Sequence, residues 1–150
     1  MFSIENFFTQ IDEFLKNEHG KELIKYLSKI DDSDIKAVLA KNQNTPVEIL
    51  KELAHSRNWA IRCGVAENEN TPLEILEYLA DDMDVDVRAA VAENKNASLD
   101  ILKKLSEDFF EDVKMSVLLN ENTPIEIIKK LAEDKFYVVK TKAREMLDKS

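Results

Sequence analysis

Four strings of this chain, NTPVEILKELA, NTPLEILEYLA, NASLDILKKLS and NTPIEIIKKLA, begin at Asn44, Asn70, Asn96 and Asn122, a constant spacing of 26 residues with no insertion. Carried backwards, the same register meets a weaker fifth copy, GKELIKYLS, starting at Gly20 where the others have Pro46, Pro72, Ser98 and Pro124. A unit of this length cannot bury its own apolar face, so its copies must stack on one another. The register predicts one continuous domain over 20–149, divided into 20–45, 46–71, 72–97, 98–123 and 124–149, behind an extension at 1–19.

Each unit reads as two helices. Thr45, Thr71 and Thr123 precede a Pro and stand three residues before Glu48, Glu74 and Glu126. That order predicts a capping box, with Thr as N-cap and Pro at the first helical position. The columns Leu23/Ile49/Ile75/Ile101/Ile127, Ile24/Leu50/Leu76/Leu102/Ile128 and Leu27/Leu53/Leu79/Leu105/Leu131, joined by Val47, Leu73, Leu99 and Ile125, give a broad apolar face on a helix of about ten residues. A second, shorter helix, expected to be 3₁₀ in part, carries Ile35/Ile61/Val87/Val113/Val139 and, four residues on, Leu39/Val65/Val91/Val117/Ala143. Small residues between these columns allow close backbone approach. Asn42, Asn68, Asn94 and Asn120 are expected to end it in the left-handed cap conformation.

The segment Val87-Arg88-Ala89-Ala90-Val91-Ala92-Glu93-Asn94, together with Thr71-Pro72-Leu73-Glu74-Ile75-Leu76 one copy earlier, resembles the pattern of the leucine-rich repeat variant (LRV) family. The resemblance spans residues 20–149. It implies a right-handed, HEAT-like α-solenoid in which longer α-helices alternate with shorter α or 3₁₀ segments. Some members of this bacterial family hold an iron–sulfur cluster in a cysteine-rich N-terminal region. This chain has one Cys, Cys63, so no cofactor is carried over. The resemblance implies protein interaction and supplies no catalytic residue.

In the extension, Phe2, Ile4, Phe7, Phe8, Ile11, Phe14 and Leu15 form a helical stripe, predicting an N-terminal capping helix over the first repeat. A membrane-surface helix would want a basic polar face, and this one has Glu5, Asp12 and Glu13. No run is long and apolar enough to span a bilayer and no signal peptide is read, so a cytoplasmic protein is expected. At the other end Lys140, Lys142, Arg144 and Glu145 polarise the last helix. His19 and His55 are isolated, Cys63 reads as a buried inert thiol, and neither a nucleotide loop nor a metal-ligand spacing is present, so no enzyme is expected.

Two sets of positions bear on binding. Lys36, Arg62, Arg88, Lys114 and Lys140 form a basic ladder that is either an anion track or, as favoured here, paired internally with Asp34, Asp86 and Asp112 two residues earlier or with Asp82, Asp108 and Asp134, which precede the second helices or meet them by stacking. The turn between the two helices instead varies from copy to copy and holds Trp59, Met83, Phe109, Phe110, Phe136 and Tyr137. These form an interaction patch on one edge, or else fold back onto the core. Trp59, Val85 and Tyr137 share a column, which favours burial there. Phe110 shares its column with Phe136 and three polar residues. With 21 basic against 30 acidic side chains the net charge is −9. A non-enzymatic module binding a basic protein or peptide is the expectation, an immunity factor for a basic toxin being one special case. The alternatives are a HEAT-like nucleic-acid or DNA-repair protein using the basic ladder, which the acidity disfavours, and a self-associating structural protein.

Overall fold

The computed structural model describes residues 16–149. Among them all regular structure is helical, ten α-helices without a strand. In chain order these are α1 (Glu18–Ser28), α2 (Ser33–Lys41), α3 (Val47–Leu53), α4 (Trp59–Glu67), α5 (Leu73–Leu79), α6 (Val85–Glu93), α7 (Leu99–Leu105), α8 (Glu111–Leu119), α9 (Ile125–Leu131) and α10 (Tyr137–Leu147). All but the C-terminal end of the capping helix expected over 1–19 lies outside the described residues.

The core is made by the apolar columns. Ile49, Leu50 and Leu53 of α3, with their counterparts in α5, α7 and α9, are buried against Ile61, Val65, Val87, Val91, Val113, Val117 and Val139 of the even-numbered helices. Leu50, Leu76 and Leu102 have almost no solvent contact. Truncating one of them to Ala removes about 2–5 kcal/mol. The even-numbered helices pack on one another, α2 on α4, α4 on α6 and α6 on α8, more extensively than on the odd-numbered helices between them. Small residues make this possible: a Cβ at Gly64 would meet the Cβ of Ala40 at 3.0 Å.

The helix lengths reverse the expectation. The first helices α3, α5, α7 and α9 have seven residues, and the second helices α4, α6 and α8 have nine and are α throughout. The helices start late because Pro46, Pro72, Pro124 and, in the one unit without a proline, Ser98 occupy the N-cap with extended ψ, and the helix begins one residue on. The 3₁₀ character lies at the far end of the first helix. There the amide of His55 donates to Glu52 O and that of Ser56 to Leu53 O, at 3.2 and 3.0 Å, and the same i→i+3 pair recurs at Asp81/Asp82, Glu107/Asp108 and Glu133/Asp134. In α1, which lacks the Pro, the helix runs eleven residues from an Asn17 cap.

Three further expectations are corrected. The capping box does not form: Thr45 and Thr71 are buried, and each hydroxyl donates at 2.6 Å to the carbonyl six residues earlier, Leu39 O and Val65 O. Among the N-caps of α3, α5, α7 and α9, Ser98 alone caps with its side chain, accepting from Ile101 N at 3.3 Å. Val47, Leu73, Leu99 and Ile125 are 36–46% exposed, because the first residue of so short a helix sits beside the core rather than in it. The asparagines closing the second helices are extended, with φ between −74° and −64°, and no residue has the left-handed conformation among those described.

The Asn side chains explain this. Asn68 Nδ2 donates to Ala40 O and Asn42 O at 2.8 and 2.9 Å, and its Oδ1 accepts from Asn70 N. Asn94 and Asn120 repeat the arrangement one and two units later. Each therefore satisfies helix-end carbonyls of the preceding unit that would otherwise be buried unpaired, which requires an extended backbone. A second, exposed ladder runs alongside, from Asn70, Asn96 and Asn122 to Gln43 O, Glu69 O and Lys95 O.

Candidate interaction surface

The turn that joins each first helix to its second is built over the basic ladder. Arg62 gives both Nε and Nη2 to Asp82, at 2.6 and 2.8 Å, and Nη1 to Ser56 O at 2.8 Å. Arg88 does the same with Asp108 and Asp82 O, and Lys114 pairs with Asp134 at 2.5 Å. The members of these pairs are buried or nearly so. Each aspartate also accepts a turn amide, from Asp84, Phe110 and Phe136 respectively, at 2.9 Å. Burial alone would raise these carboxyls. The hydrogen bond from the neighbouring cation, the turn amide and the surrounding positive charge together hold Asp82, Asp108 and Asp134 below the ordinary aspartate value.

The ends of the ladder depart from this pattern. The position that would serve Lys36 is Ser56, so Lys36 turns to Asp31 of its own unit at 2.8 Å. Lys140 is half-buried and makes no ion pair among the described residues. Three of the five cations are thus enclosed in pairs, and no continuous basic track faces solvent.

The six apolar turn residues separate into groups. Phe109 and Phe110 meet edge to face with centroids 5.6 Å apart. Lys135 Nζ lies 4.9 Å from the centroids of both Phe109 and Phe136, tying three of the predicted rings into one cluster. Phe110 and Phe136 also lie over ladder cations, Arg88 at 5.7 Å and Lys114 at 5.4 Å. Met83 is 93% exposed at the margin of a cleft of about 570 Å³ shared with His55, Arg57, Tyr78 and Asp81. Trp59 and Tyr137 open α4 and α10 and join neither ring cluster.

The burial expected from the column Trp59/Val85/Tyr137 is found only at Val85, which packs half-buried against the core, and not at its two aromatic members. Trp59 is 47% and Tyr137 80% exposed, and Phe109 75%. These columns stand at the first helical position, two residues before the buried Ile61 and Val139, and helical side chains lean toward the N-terminus, away from the core.

Phe110 and Phe136 break a local rule. They are the N-caps of α8 and α10 and make no side-chain cap bond. Asp32, Asn58 and Asp84, at the same position in earlier units, each accept from the first-turn amides. Giving up a polar cap costs about 1 kcal/mol. In sequence the turns and the first helical residues after them carry Asp84, Asp86, Glu111 and Asp112 beside Arg57 and Lys135, an acidic excess along this edge.

Sequence reasoning missed the pair His55–Tyr78, whose Nδ1 and hydroxyl oxygen are 3.1 Å apart with ring centroids at 4.7 Å. The signal was an offset of 23 residues: the same two positions one and two units later are the ion pairs Asp81–Lys104 and Glu107–Lys130. Cys63 is half-buried, and burial together with the Glu67 carboxylate pushes its thiol up to about 12, so it is protonated at neutral pH. No group of three His, Cys, Asp or Glu able to hold a metal ion occurs among the described residues. Compared with protein-family models, curated proteins and solved structures, the chain matches none of them.

Proposed function

We propose that residues 20–149 form a right-handed α-solenoid of five two-helix repeats of the LRV type, and that it is a non-enzymatic interaction module for a basic protein or peptide. The recurrence of the Asn68, Asn94 and Asn120 bonds at intervals of 26 residues supports stacking by one repeated operation from unit to unit. The extensive packing of the even-numbered helices supports their lying on the inner side of the curve.

The observation that carries the binding reading is the turn edge. Its ladder cations are already matched by carboxylates, its large apolar groups Met83, Phe109 and Tyr137 stand mostly in solvent, and two helix caps have been given to phenylalanine. Local rules of stability are broken where a surface serves another purpose. Exposed apolar anchors within an acidic rim match a partner that brings Lys or Arg around an apolar contact.

The test is affinity capture with the tagged chain at low and at about 0.5 M salt, where charge steering is screened, with a Trp59→Ala/Phe110→Ala variant in parallel. A basic protein retained by the native chain, weakened by salt and lost by the variant is the expected result. A partner indifferent to both salt and substitution overturns the reading.

A further inference from the structure

The solvent side of the second helices repeats at i, i+3, i+4 and i+7, and its columns are not alike. One outer column carries Asp34, Ala60, Asp86 and Asp112, and the other Lys41, Glu67 and Glu93, with Lys41 paired to Glu67 at 2.8 Å; the carboxylates of both are exposed. Between them the chain is small: Cys63 and Ala89 are half-buried, and Gly64 and Ala90 are packed between helices. The outcome is a shallow floor with a carboxylate rim on each side.

The composition changes at the C-terminal end of this face. Leu119 stands where Glu67 and Glu93 stand in earlier units, Val138 where Asp86 and Asp112 stand, and Met115 where Cys63 and Ala89 stand. Leu119 is 60% and Val138 52% exposed. Met115, Tyr137 and Val138 form the apolar side of a depression of about 290 Å³ whose other side is Thr141, Lys142 and Glu145. The earlier residues of these two outer columns show that they face solvent within the stack, so this exposure does not come from being last.

We infer that this face is the groove for an amphipathic basic helix of the partner, laid across the second helices with its apolar end on Met115, Leu119, Tyr137 and Val138. The inference rests on the reading of the chain as a binder of basic partners and names the surface and the partner's form. Asp86 and Glu93 are seven residues apart on one helix, about 10.5 Å of axial rise, which is close to the 10–12 Å diameter of an α-helix with its side chains. A helix laid there brings Lys or Arg on its two flanks over the two rims, while its apolar stripe meets the small floor. From α4 to α10 the groove crosses three helix spacings of about 8–10 Å, the length of a helix of roughly 18 residues.

The probe is an 18-residue fluorescein-labelled helical peptide of Leu and Lys with one apolar stripe, against a scrambled peptide of the same composition. The full chain is expected to bind the amphipathic peptide about tenfold or more tightly than the scrambled one, the scale set by a well-placed apolar anchor. Glu67→Gln/Glu93→Gln and, separately, Leu119→Glu/Val138→Glu are each expected to lose about tenfold, while Glu52→Gln/Glu77→Gln, the same change of charge at exposed positions of the first helices, stays within about twofold. All are exposed positions, and circular dichroism melts verify that each variant is folded. Equal binding of the two peptides means that charge alone acts, and overturns the groove. Loss with Met83→Ala/Phe109→Ala on the turn edge and none with the two groove variants overturns the groove and leaves the turn-edge module standing. Sedimentation showing a dimer that Leu119→Glu/Val138→Glu dissociates assigns the face to a second copy of the chain, which also overturns it.

Discussion

Arg88 and Asp108 are twenty residues apart in sequence and share two N–H···O bonds, 2.7 Å from Nε and 3.1 Å from Nη2. Asp108 also holds the amide of Phe110, and Arg88 the carbonyl of Asp82, so this pair joins one turn to the next. The pair is nearly enclosed, with 12% and 9% of its side chains exposed. Arg88→Ala therefore strands a buried carboxylate and is expected to cost about 3–5 kcal/mol in urea unfolding. Arg88→Met/Asp108→Leu removes both charges and is expected to cost far less. Equal losses in the single and double variants would show that the pair contributes packing rather than matched charge.

Acid is expected to unfold the chain through the same column. The carboxyls of Asp82, Asp108 and Asp134 titrate below the ordinary value in the folded chain, so the unfolded chain takes up protons first as the pH falls. Their stabilisation is complete above the ordinary aspartate value near 3.8 and is lost as pH descends through the lower, folded values. Urea midpoints are expected to vary little in this contribution between about pH 5 and 8 and to drop below about pH 4. The drop should be shallower in Arg88→Met/Asp108→Leu. An unchanged acid limb in that variant would place the sensitive carboxylates elsewhere.

Asn94 offers a test of chemistry at nearly constant shape. Its Nδ2 donates to two carbonyls, Ala66 O at 2.7 Å and Asn68 O at 3.1 Å, while Oδ1 accepts from Asn96 N at 2.8 Å. Asn94→Ala leaves buried groups unpaired and is expected to cost about 2–3 kcal/mol. Asn94→Asp is expected to cost more at pH 7, because it puts a carboxylate oxygen against two carbonyl oxygens, and to recover part of that loss as the carboxyl protonates. Asn96→Ala, on the exposed ladder, should cost under about 1 kcal/mol. A calorimetric melt of the three variants orders them, and Asn94→Asp as stable as the native chain would exclude the donor role.

What the sequence disclosed and what it hid have different physical causes. The apolar columns were legible because burial is written in spacing, and Leu50, Leu76 and Leu102 occupy the core that the period assigns them. The pairing of the basic ladder was legible in kind, and its address was one of two on offer: Asp82 reaches Arg62 through stacking, while the aspartates two residues before the cations on the helices do not pair with them. Thr71 and Asn68 were misread because their usual local bonds, a cap and a left-handed turn, lose here to carbonyls supplied by the same unit and by its neighbour. Column membership pointed Trp59 and Tyr137 to the core and was wrong for both, because a first helical position borders core and water alike and only the smaller Val85 packs inward there. The groove on the second helices went unseen because its defining residues, Leu119 and Val138, appear only as single departures in columns that are mostly acidic and already broken by Lys41 and Ala60.

Phe110 tests whether the turn edge gives up stability for another role. Its counterpart Asp84 caps α6 by accepting from Asp86 N at 3.0 Å and lies close enough to Arg62 to contribute to that cation's raised pKa. Phe110→Asp is thus the substitution the protein already makes one unit earlier. A restored cap contributes about 1 kcal/mol, favourable to the positive end of α8 as well. Against it stands a half-exposed ring whose centroid lies 5.7 Å from the guanidinium of Arg88, worth about 0.5–1 kcal/mol at such a site. The two terms nearly cancel, with the cap slightly ahead, so Tm is expected to be unchanged or to rise by about 2–4 °C. Capture of a basic partner should weaken in the same variant if the ring belongs to its contact. A fall in Tm of more than about 5 °C would mean that Phe110 is kept as a cover for the Arg88–Asp108 pair, and the missing cap would then say nothing about binding.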